Sequence, residues 1–229
     1  MELSIYGLEN PIIFDDEHIN ILEIDNKKLF VKILTLLNNK CNGIDTGNEI
    51  ILKEENKELK INNNMFIVFD IFNIDFNSKK VLTKLYTNIA KNVDNSDDFE
   101  LEKLIFEFRN LLVKEINEFP FEFTMKTDIN VEEVLKMFSL KIDENCYIEV
   151  TEKIEFLIDV INELKLAKIL VVPNLKDFLT NEELVEIYKY AKYNDIHLLI
   201  IQNYIEKNLL EYEKKNIIDS EFDDFIKKM

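Results

Sequence analysis

The segment Lys168–Gln202 constrains the fold most, because it reads as a complete strand–helix–strand unit. Its two ends, Lys168–Val172 and His197–Gln202, are rich in leucine and β-branched residues without polar alternation, which is typical of strands buried in a parallel sheet. Between them, Thr180 and Glu183 have the spacing of a capping box that opens a helix. The expected core positions of that helix are Leu184, Ile187, Tyr188 and Ala191. Because strands joined in this way lie parallel with a right-handed crossover, the unit predicts an α/β domain.

Shorter patterns predict the other elements of this domain. A helix over Leu29–Leu37 has Asn26 as its N-cap, and another helix runs from Thr151, its expected cap, to Leu166. After Gln202 we expect a short helix and a last strand near Asn216–Asp219, with the acidic end of the chain on the surface. The remaining strand candidates are Leu3–Tyr6, Ile19–Ile24, Glu49–Leu52, Glu58–Asn62 and Met65–Ile71, of which the third and fourth form an edge hairpin.

The middle of the chain changes character and is expected to be wholly helical. The three predicted helices are Ser78–Val93, a longer one from Asp97 or Asp98 to Phe119, and Asn130–Ser139. Pro120 stops the second helix, and Asn130 with Glu133 opens the third with a capping box. The sequence therefore predicts an α/β head domain made of residues 1–75 and 141–229, with residues 76–140 inserted as a helical leg domain.

The scarcity of glycine argues against nucleotide hydrolysis. A phosphate-binding loop needs a glycine-rich backbone followed by Lys and Ser or Thr, and a dinucleotide fingerprint also needs closely spaced glycines. The 229 residues contain only Gly7, Gly43 and Gly47, and none of them is followed by lysine. Nucleophile-elbow and zinc-protease motifs are missing as well. No catalytic site is predicted.

Cellular location is predicted from what the sequence lacks. No run of about 18 apolar residues is present, so no membrane-spanning helix is expected. The N-terminal stretch MELSIYGLEN has no basic region followed by an apolar one, as a signal peptide would. Cys41 and Cys146 provide no metal-binding or disulfide framework. We therefore expect a protein of the cytoplasm that has no membrane partner.

One predicted helix carries a local excess of basic residues. The chain has a formal net charge of −17, yet the helix Ser78–Val93 contains Lys79, Lys80, Lys84 and Lys91 and no acid. At 100° per residue, the last three of these lysines fall within about 40° of one another. Lysines arranged in this way can contact the phosphate backbone of DNA without reading its sequence. An ordinary solvated helix face is the alternative.

A second group of charges is acidic and surrounds the turn at Pro120. Its members are Glu115, Glu118, Glu122, Asp128 and Glu132, with Lys114 and Lys126 as the nearby bases. Calcium takes several oxygen ligands in flexible geometry, which a loop between helices can supply. A solvated acidic surface is the alternative, and a catalytic carboxylate pair has little support.

Three stretches of the chain resemble the type II-A CRISPR-associated adaptation protein family called Csn-two. DIFNIDFNSKKVLTKLY resembles the strand exit that leads into the first inserted helix of that family. KILVVPNLKDFLTNEELVEIYKYAKYNDIHLLIIQ resembles its lysine–leucine strand, F-L-T-x-x-E helix and following strand, and NIIDSEFDDFI resembles its C-terminal strand. The order and spacing of these stretches hold over nearly the whole chain.

The resemblance implies a fold and a function. The family has an α/β head similar to a P-loop ATPase core that has lost its phosphate loop, with a helical leg inserted in it. Four subunits form a ring that encircles double-stranded DNA, prefers free ends and is stabilised by calcium ions bound in the leg. These proteins serve in spacer acquisition, a step of antiviral defence, beside the integrase complex and the effector nuclease. No catalytic activity is expected of them.

The resemblance also implies site residues. Glu115, Glu118, Glu122 and Asp128 fall near acidic positions of the family and are the expected calcium ligands. The turn differs in length by one residue, and Thr127 stands where the family has an acid, so which carboxylates bind the ion stays open. The expected DNA-binding residues are Lys79, Lys80, Lys84 and Lys91. An acidic protein–protein adaptor without DNA contact is the alternative function, and a metal-dependent nuclease is a third.

Overall fold

The computed structural model describes residues 1–94, 100–126, 128–144 and 149–228. The chain divides into a head unit, Met1–Phe76 with Glu144–Met229, and an inserted unit, Asn77–Asp143. Four residues named above lie outside the described ranges, namely Asp97, Asp98, Thr127 and Cys146. Within the part of the chain that is described, no helix is both long and apolar enough to cross a membrane.

The head unit is built on a six-stranded sheet and a smaller four-stranded sheet. Its strands are β1 Glu2–Ile5, β2 Ile12–Ile13, β3 Ile19–Ile24, β4 Ile50–Glu54, β5 Lys57–Leu59, β6 Met65–Ile67, β7 Ile169–Pro173, β8 His197–Gln202, β9 Glu213–Ile218 and β10 Asp224–Lys228. The larger sheet has the order β10-β9-β3-β8-β7-β6, and only β10, at one edge, is antiparallel to its neighbour. The predicted fold class, α/β with a parallel-rich sheet, is confirmed.

The strand–helix–strand unit of the sequence analysis forms the centre of this sheet. β7 and β8 lie side by side and parallel, and helix α7 connects them. α7 spans Asn181–Tyr193, and Thr180 and Glu183 make the predicted capping box, with the Glu183 carboxylate accepting a hydrogen bond from the Thr180 amide at 2.7 Å. The four core positions expected on α7 are all buried. The local sequence signals therefore predicted this unit correctly.

The four-stranded sheet is antiparallel in the order β2-β1-β4-β5 and shares a core with the larger sheet. Helix α1, Lys27–Cys41, begins at Asn26, whose side chain accepts hydrogen bonds from the amides of Lys28 and Leu29 as predicted. Phe30, Ile33 and Leu37 of α1 are buried in the same cluster as residues of both sheets. The hairpin β4–β5 is present, but its second strand ends at Leu59 and helix α2, Ile61–Asn64, replaces the predicted strand end.

Three further boundaries differ from the predictions. Helix α6 spans Val150–Leu164, and Glu149 rather than Thr151 is its N-cap, because Glu149 and Glu152 form a capping box that starts two residues earlier. No helix is present in residues 203–212, all of which are described. The predicted last strand starts earlier, as β9, and the acidic end of the chain adds the exposed edge strand β10.

The inserted unit contains helices α3 Lys79–Asp94, α4 Glu100–Ile116 and α5 Val131–Met137. The expectation that this segment is wholly helical is wrong, since residues 117–126 and 128–130 are not helical. α4 ends three residues before the predicted Phe119, and the chain passes Pro120 in an irregular conformation. α5 begins at Asn130, where the predicted capping box with Glu133 is present.

Charged side chains are buried on one face of the larger sheet. Lys215 of β9 and Glu23 of β3 are fully buried, and their Nζ and Oε1 atoms lie 2.7 Å apart. Lys215 also donates to the backbone carbonyls of Glu206 and Asn208, at 3.1 and 2.6 Å. Burial raises the pKa of the Glu23 carboxyl group, with the hydrogen bond from Lys215 opposing it. Lys215 and Glu23 therefore hold the β8–β9 loop against this face of the central strands.

A second ion pair extends this network. Lys176, in the 3-10 turn after β7, donates to Glu206 at 2.6 Å and to the buried Glu213 at 2.9 Å. Tyr188 of α7 donates to the same Glu213 oxygen at 2.9 Å. Burial alone would lower the pKa of Lys176, but its bonds to the two glutamates hold it above the ordinary value. The network thus connects β3, β7, β9, α7 and the β8–β9 loop.

We expect Lys215→Met to lower the free energy of unfolding by about 3–5 kcal/mol, because it leaves the Glu23 carboxylate buried without its ion-pair partner. Urea unfolding followed by circular dichroism measures the change. Lys189→Met, on the exposed side of α7, is the matched control and should stay within about 0.5 kcal/mol of the wild type. The double variant with Glu23→Gln should recover part of the loss. If Lys215→Met unfolds like the control, the buried pair does not stabilise the head unit.

Candidate nucleic-acid interface and metal site

The basic residues lie on α3, which packs against α5 in the inserted unit. Val81 and Tyr86 are the buried residues of α3, and the Tyr86 hydroxyl donates to the Leu140 carbonyl at 2.7 Å. Val81 lies on the face of α3 opposite Lys80, Lys84 and Lys91. The burial of Tyr86 was not predicted, because its hydrogen-bond partner lies after α5. The basic helix is thus anchored by its apolar side chains and by the hydrogen bond of Tyr86.

The two ends of the inserted unit are joined by a pair of hydrogen bonds. The Asn77 side chain donates to the Ile142 carbonyl at 3.0 Å, and the Ile142 amide donates to the Asn77 Oδ1 atom at 2.8 Å. These residues are 65 positions apart in the sequence. The start of α3 and the segment after α5 are therefore held together, which fixes where the lysines begin.

The four predicted DNA-binding lysines differ in exposure. Lys79 and Lys91 are exposed, whereas Lys80 and Lys84 are half-buried. Thr87, which shares the lysine face, donates to Glu132 Oε1 of α5 at 2.9 Å. One carboxylate therefore reaches the middle of the basic stripe from a neighbouring helix. The sequence pattern could not predict this contact, because α3 itself contains no acid between Lys79 and Val93.

The four predicted calcium ligands are all exposed and lie at different points of one irregular segment. Glu115 is in the last turn of α4, Glu118 follows the helix end, and Glu122 and Asp128 lie in the stretch before α5. Glu132 is engaged with Thr87, and Glu133 forms an ion pair with Lys126. In the part of the chain that is described, no three acidic, histidine or cysteine side chains come together as a metal site would require. The single chain therefore does not fit a preformed calcium site.

Helix α4 has an apolar surface that the sequence analysis did not identify. Four of its large apolar side chains are more than half exposed, namely Leu104, Phe106, Phe108 and Leu111. Leu112 and Val113 are also exposed, so apolar residues surround the helix rather than forming one stripe. The signal was present in the sequence LIFEFRNLLV, which is apolar on more than one face. An exposed apolar surface of this kind marks an interaction site.

Comparisons with known proteins agree with the resemblance noted in the sequence. Residues 42–222 match the family described as CRISPR-associated protein (Cas_Csn2), which is more than half of the chain. The chain is also 25% identical over 225 residues to the CRISPR-associated protein Csn2 of Enterococcus faecalis, covering 97% of each chain.

The fold of this chain resembles that of solved structures. The crystal structure of Stu0660 of Streptococcus thermophilus superimposes with a TM-score of 0.59 and 13% identity, over 96% of this chain and 75% of the other. At that identity the likeness supports the fold alone. A second structure is that of MJ1267, an ATP-binding cassette of an ABC transporter, in its ADP conformation. It superimposes with a TM-score of 0.45 and 14% identity, over 95% of this chain and 87% of the other.

Proposed function

Because the chain belongs to the CRISPR-associated Csn2 family, we propose that it serves in CRISPR adaptation as a non-catalytic ring of four copies around double-stranded DNA. In this proposal, calcium stabilises the ring, and the integrase complex and the effector nuclease are its protein partners in spacer acquisition in the cytoplasm. The observation that carries the proposal is the combination, within one inserted unit, of the exposed apolar helix α4 and the lysine-bearing helix α3.

The surface of α4 supports self-association. A monomeric protein rarely leaves a contiguous apolar surface in water, because covering it is favourable by about 25 cal/mol per Å². Phe106, Phe108 and Leu111 project from a single helix, and Phe119 and Phe121 add further exposed rings just beyond it. Aromatic and leucine side chains in such numbers are typical of an obligate interface. A second copy of the chain is the proposed occupant.

The charge distribution supports threading of DNA through a ring. Every copy carries a net charge of −17, so the outer surface repels the phosphate backbone. The lysines of α3 are a local exception, with Lys79 and Lys91 exposed. If they line the lumen, DNA can reach them only through a free end. Contacts of ammonium groups with phosphates give affinity without sequence preference.

Reversal of Lys84 and Lys91 to glutamate should weaken binding to linear duplex DNA by about tenfold or more, because phosphate contacts are lost and repulsion is added. Fluorescence anisotropy over a salt series measures the affinity, which for the wild type should fall steeply with salt. The matched control reverses Lys189 and Lys207, two exposed lysines of the head unit, and should bind like the wild type.

The form of the DNA tests the threading itself. The wild type should retain linear duplex and release sealed circular DNA of the same sequence. Equal affinity for both forms would contradict encirclement. If the protein binds neither form while remaining folded, the acidic protein–protein adaptor becomes the better description.

Replacement of Glu118 and Glu122 by glutamine should abolish any gain in melting temperature and in assembly size that calcium gives the wild type. The exposed carboxylates would lose the charge that attracts the ion. Sedimentation velocity and thermal melting, each in calcium and in chelator, provide the readout. Glu163→Gln with Glu182→Gln removes the same charge from the head unit and serves as the control. A wild type that is indifferent to calcium would refute calcium dependence, whatever the variants do.

Substitution of Phe108 and Leu111 by serine should dissociate the assembly into smaller species, because it removes apolar area that another copy covers. Both side chains are more than half exposed in the single chain, so the fold of the inserted unit should persist. Sedimentation velocity reports the size, and Tyr193→Ser, at an exposed position of the head unit, is the control. An unchanged assembly size would mean that α4 is not the interface.

A further inference from the structure

The head unit carries exposed aromatic side chains at the carboxyl edge of its larger sheet. Phe69 and Phe72 follow β6, Phe178 follows β7, and their exposed fractions are 50%, 49% and 49%. The rings of Phe72 and Phe178 meet edge to face with centroids 5.2 Å apart. Tyr204, two residues past the end of β8, is also exposed. We call these four aromatic residues the carboxyl-edge patch.

The loop that presents two of these rings is held in place by polar contacts. The Asp70 carboxylate accepts hydrogen bonds from the amides of Phe72 and Asn73 and from the Asn73 side chain, at 3.0, 3.2 and 2.8 Å. Lys153 of α6 donates to the Phe72 carbonyl at 2.9 Å. The rings are therefore exposed on a fixed loop, so little conformational entropy would be lost if a partner covered them.

The charges around the patch are mostly acidic. Asp70 and Asp177 are exposed within its loops, and Glu182 is exposed at the start of α7. Lys176 precedes Asp177, but its side chain is only 3% exposed and points into the buried network with Glu206 and Glu213. Two bases lie nearby, namely Lys207, the exposed base of the β8–β9 loop, and Lys153, which donates to the Phe72 carbonyl, against the three exposed acids. The surface therefore combines aromatic faces with negative charge.

We propose that the carboxyl-edge patch docks a partner protein that presents basic side chains around apolar anchors. Arginine and lysine are attracted both to carboxylates and to the faces of aromatic rings. An exposed aromatic pair such as Phe72 and Phe178 supplies typical hot-spot area once a partner covers it. The same negative charge repels nucleic acid. Ligands of α/β sheets commonly bind at the carboxyl ends of the strands. The four aromatic residues of the patch lie at that edge of the larger sheet.

This interface is separate from the ring and the DNA contacts proposed above, because all of its residues belong to the head unit. The probes are short synthetic peptides of equal length. The first alternates arginine with leucine and phenylalanine, the second keeps the arginines and replaces the apolar residues by serine, and the third keeps the apolar residues and replaces arginine by glutamate. Fluorescence anisotropy at about 150 mM salt, where long-range attraction is screened, measures each affinity.

The first peptide should bind at least tenfold more tightly than the other two, and Phe72→Ser with Phe178→Ser should weaken it by about tenfold. Asp177→Asn, which removes charge alone, should weaken it less. Tyr193→Ser, which removes an exposed ring from the far end of α7, should bind like the wild type. Thermal melting checks that each variant is folded.

Two results would overturn the proposal. Equal binding of the first two peptides, or binding that is unaffected in the folded Phe72/Phe178 variant, would show that the acidic surface attracts any basic peptide. A change of assembly size in this variant would assign the patch to contacts between copies of the chain instead. Loss of DNA binding in the lysine variants has no bearing on these readouts, so failure of the ring proposal and failure of this one can be distinguished.

Discussion

The ion pair between Lys215 and Glu23 is the interaction on which the head unit depends. Two opposite charges with no exposed surface are costly to desolvate, and each is tolerable only while the other is present. Their geometry requires β9 to lie next to β3 and the β8–β9 loop to cross over both strands, since Lys215 also binds two carbonyls of that loop. With Lys176, Glu206 and Glu213, the pair forms one buried network that joins β3, β9, α7 and the turn after β7 to the β8–β9 loop.

The sequence predicts the parts of this fold that local signals determine. Thr180 and Glu183 lie three residues apart and cap α7 whatever the helix packs against. The apolar runs of β7 and β8 are stable only when they are buried. The parts that failed depend on contacts between distant residues. Thr151 is a reasonable cap in isolation, but Glu149 reaches the helix first. The small antiparallel sheet requires β1 to pair with β4, which is far away in sequence, whereas β10 pairs with the preceding strand β9 across a short turn. Residues 203–212 do not form a helix, because lysines from other elements bind this segment. Lys176, in the turn after β7, binds the Glu206 carboxylate, and Lys215 of β9 binds the Glu206 carbonyl.

The candidate site shows the same division. The excess of lysine on α3 is visible in the sequence, but the approach of Glu132 to Thr87 is not. The carboxylates around Pro120 looked like a group because they are close in sequence, whereas an irregular segment spreads them apart. Calcium ligands can all come from one chain, or a second copy of the chain can supply some of them. Neighbouring carboxylates in a sequence have the same pattern in both cases. The sequence carries only part of the signal for the buried network. Glu23 stands in the largely apolar strand β3, which predicts a buried charge with a partner. β9 begins Glu-Lys-Lys-Asn and reads as an exposed strand, although all six of its residues are buried.

The pair of hydrogen bonds between Asn77 and Ile142 has a consequence for how this architecture can change over evolutionary time. These bonds hold the two ends of the inserted unit close together. The head unit is therefore bridged by a short distance, whatever the number of residues in the inserted unit. The entropy of closing such a connection grows only slowly with its length. Helices could therefore be lengthened, shortened or exchanged between these two residues while the sheet keeps its strand order. Relatives of this protein can thus vary the dimensions of the helical part while preserving one scaffold.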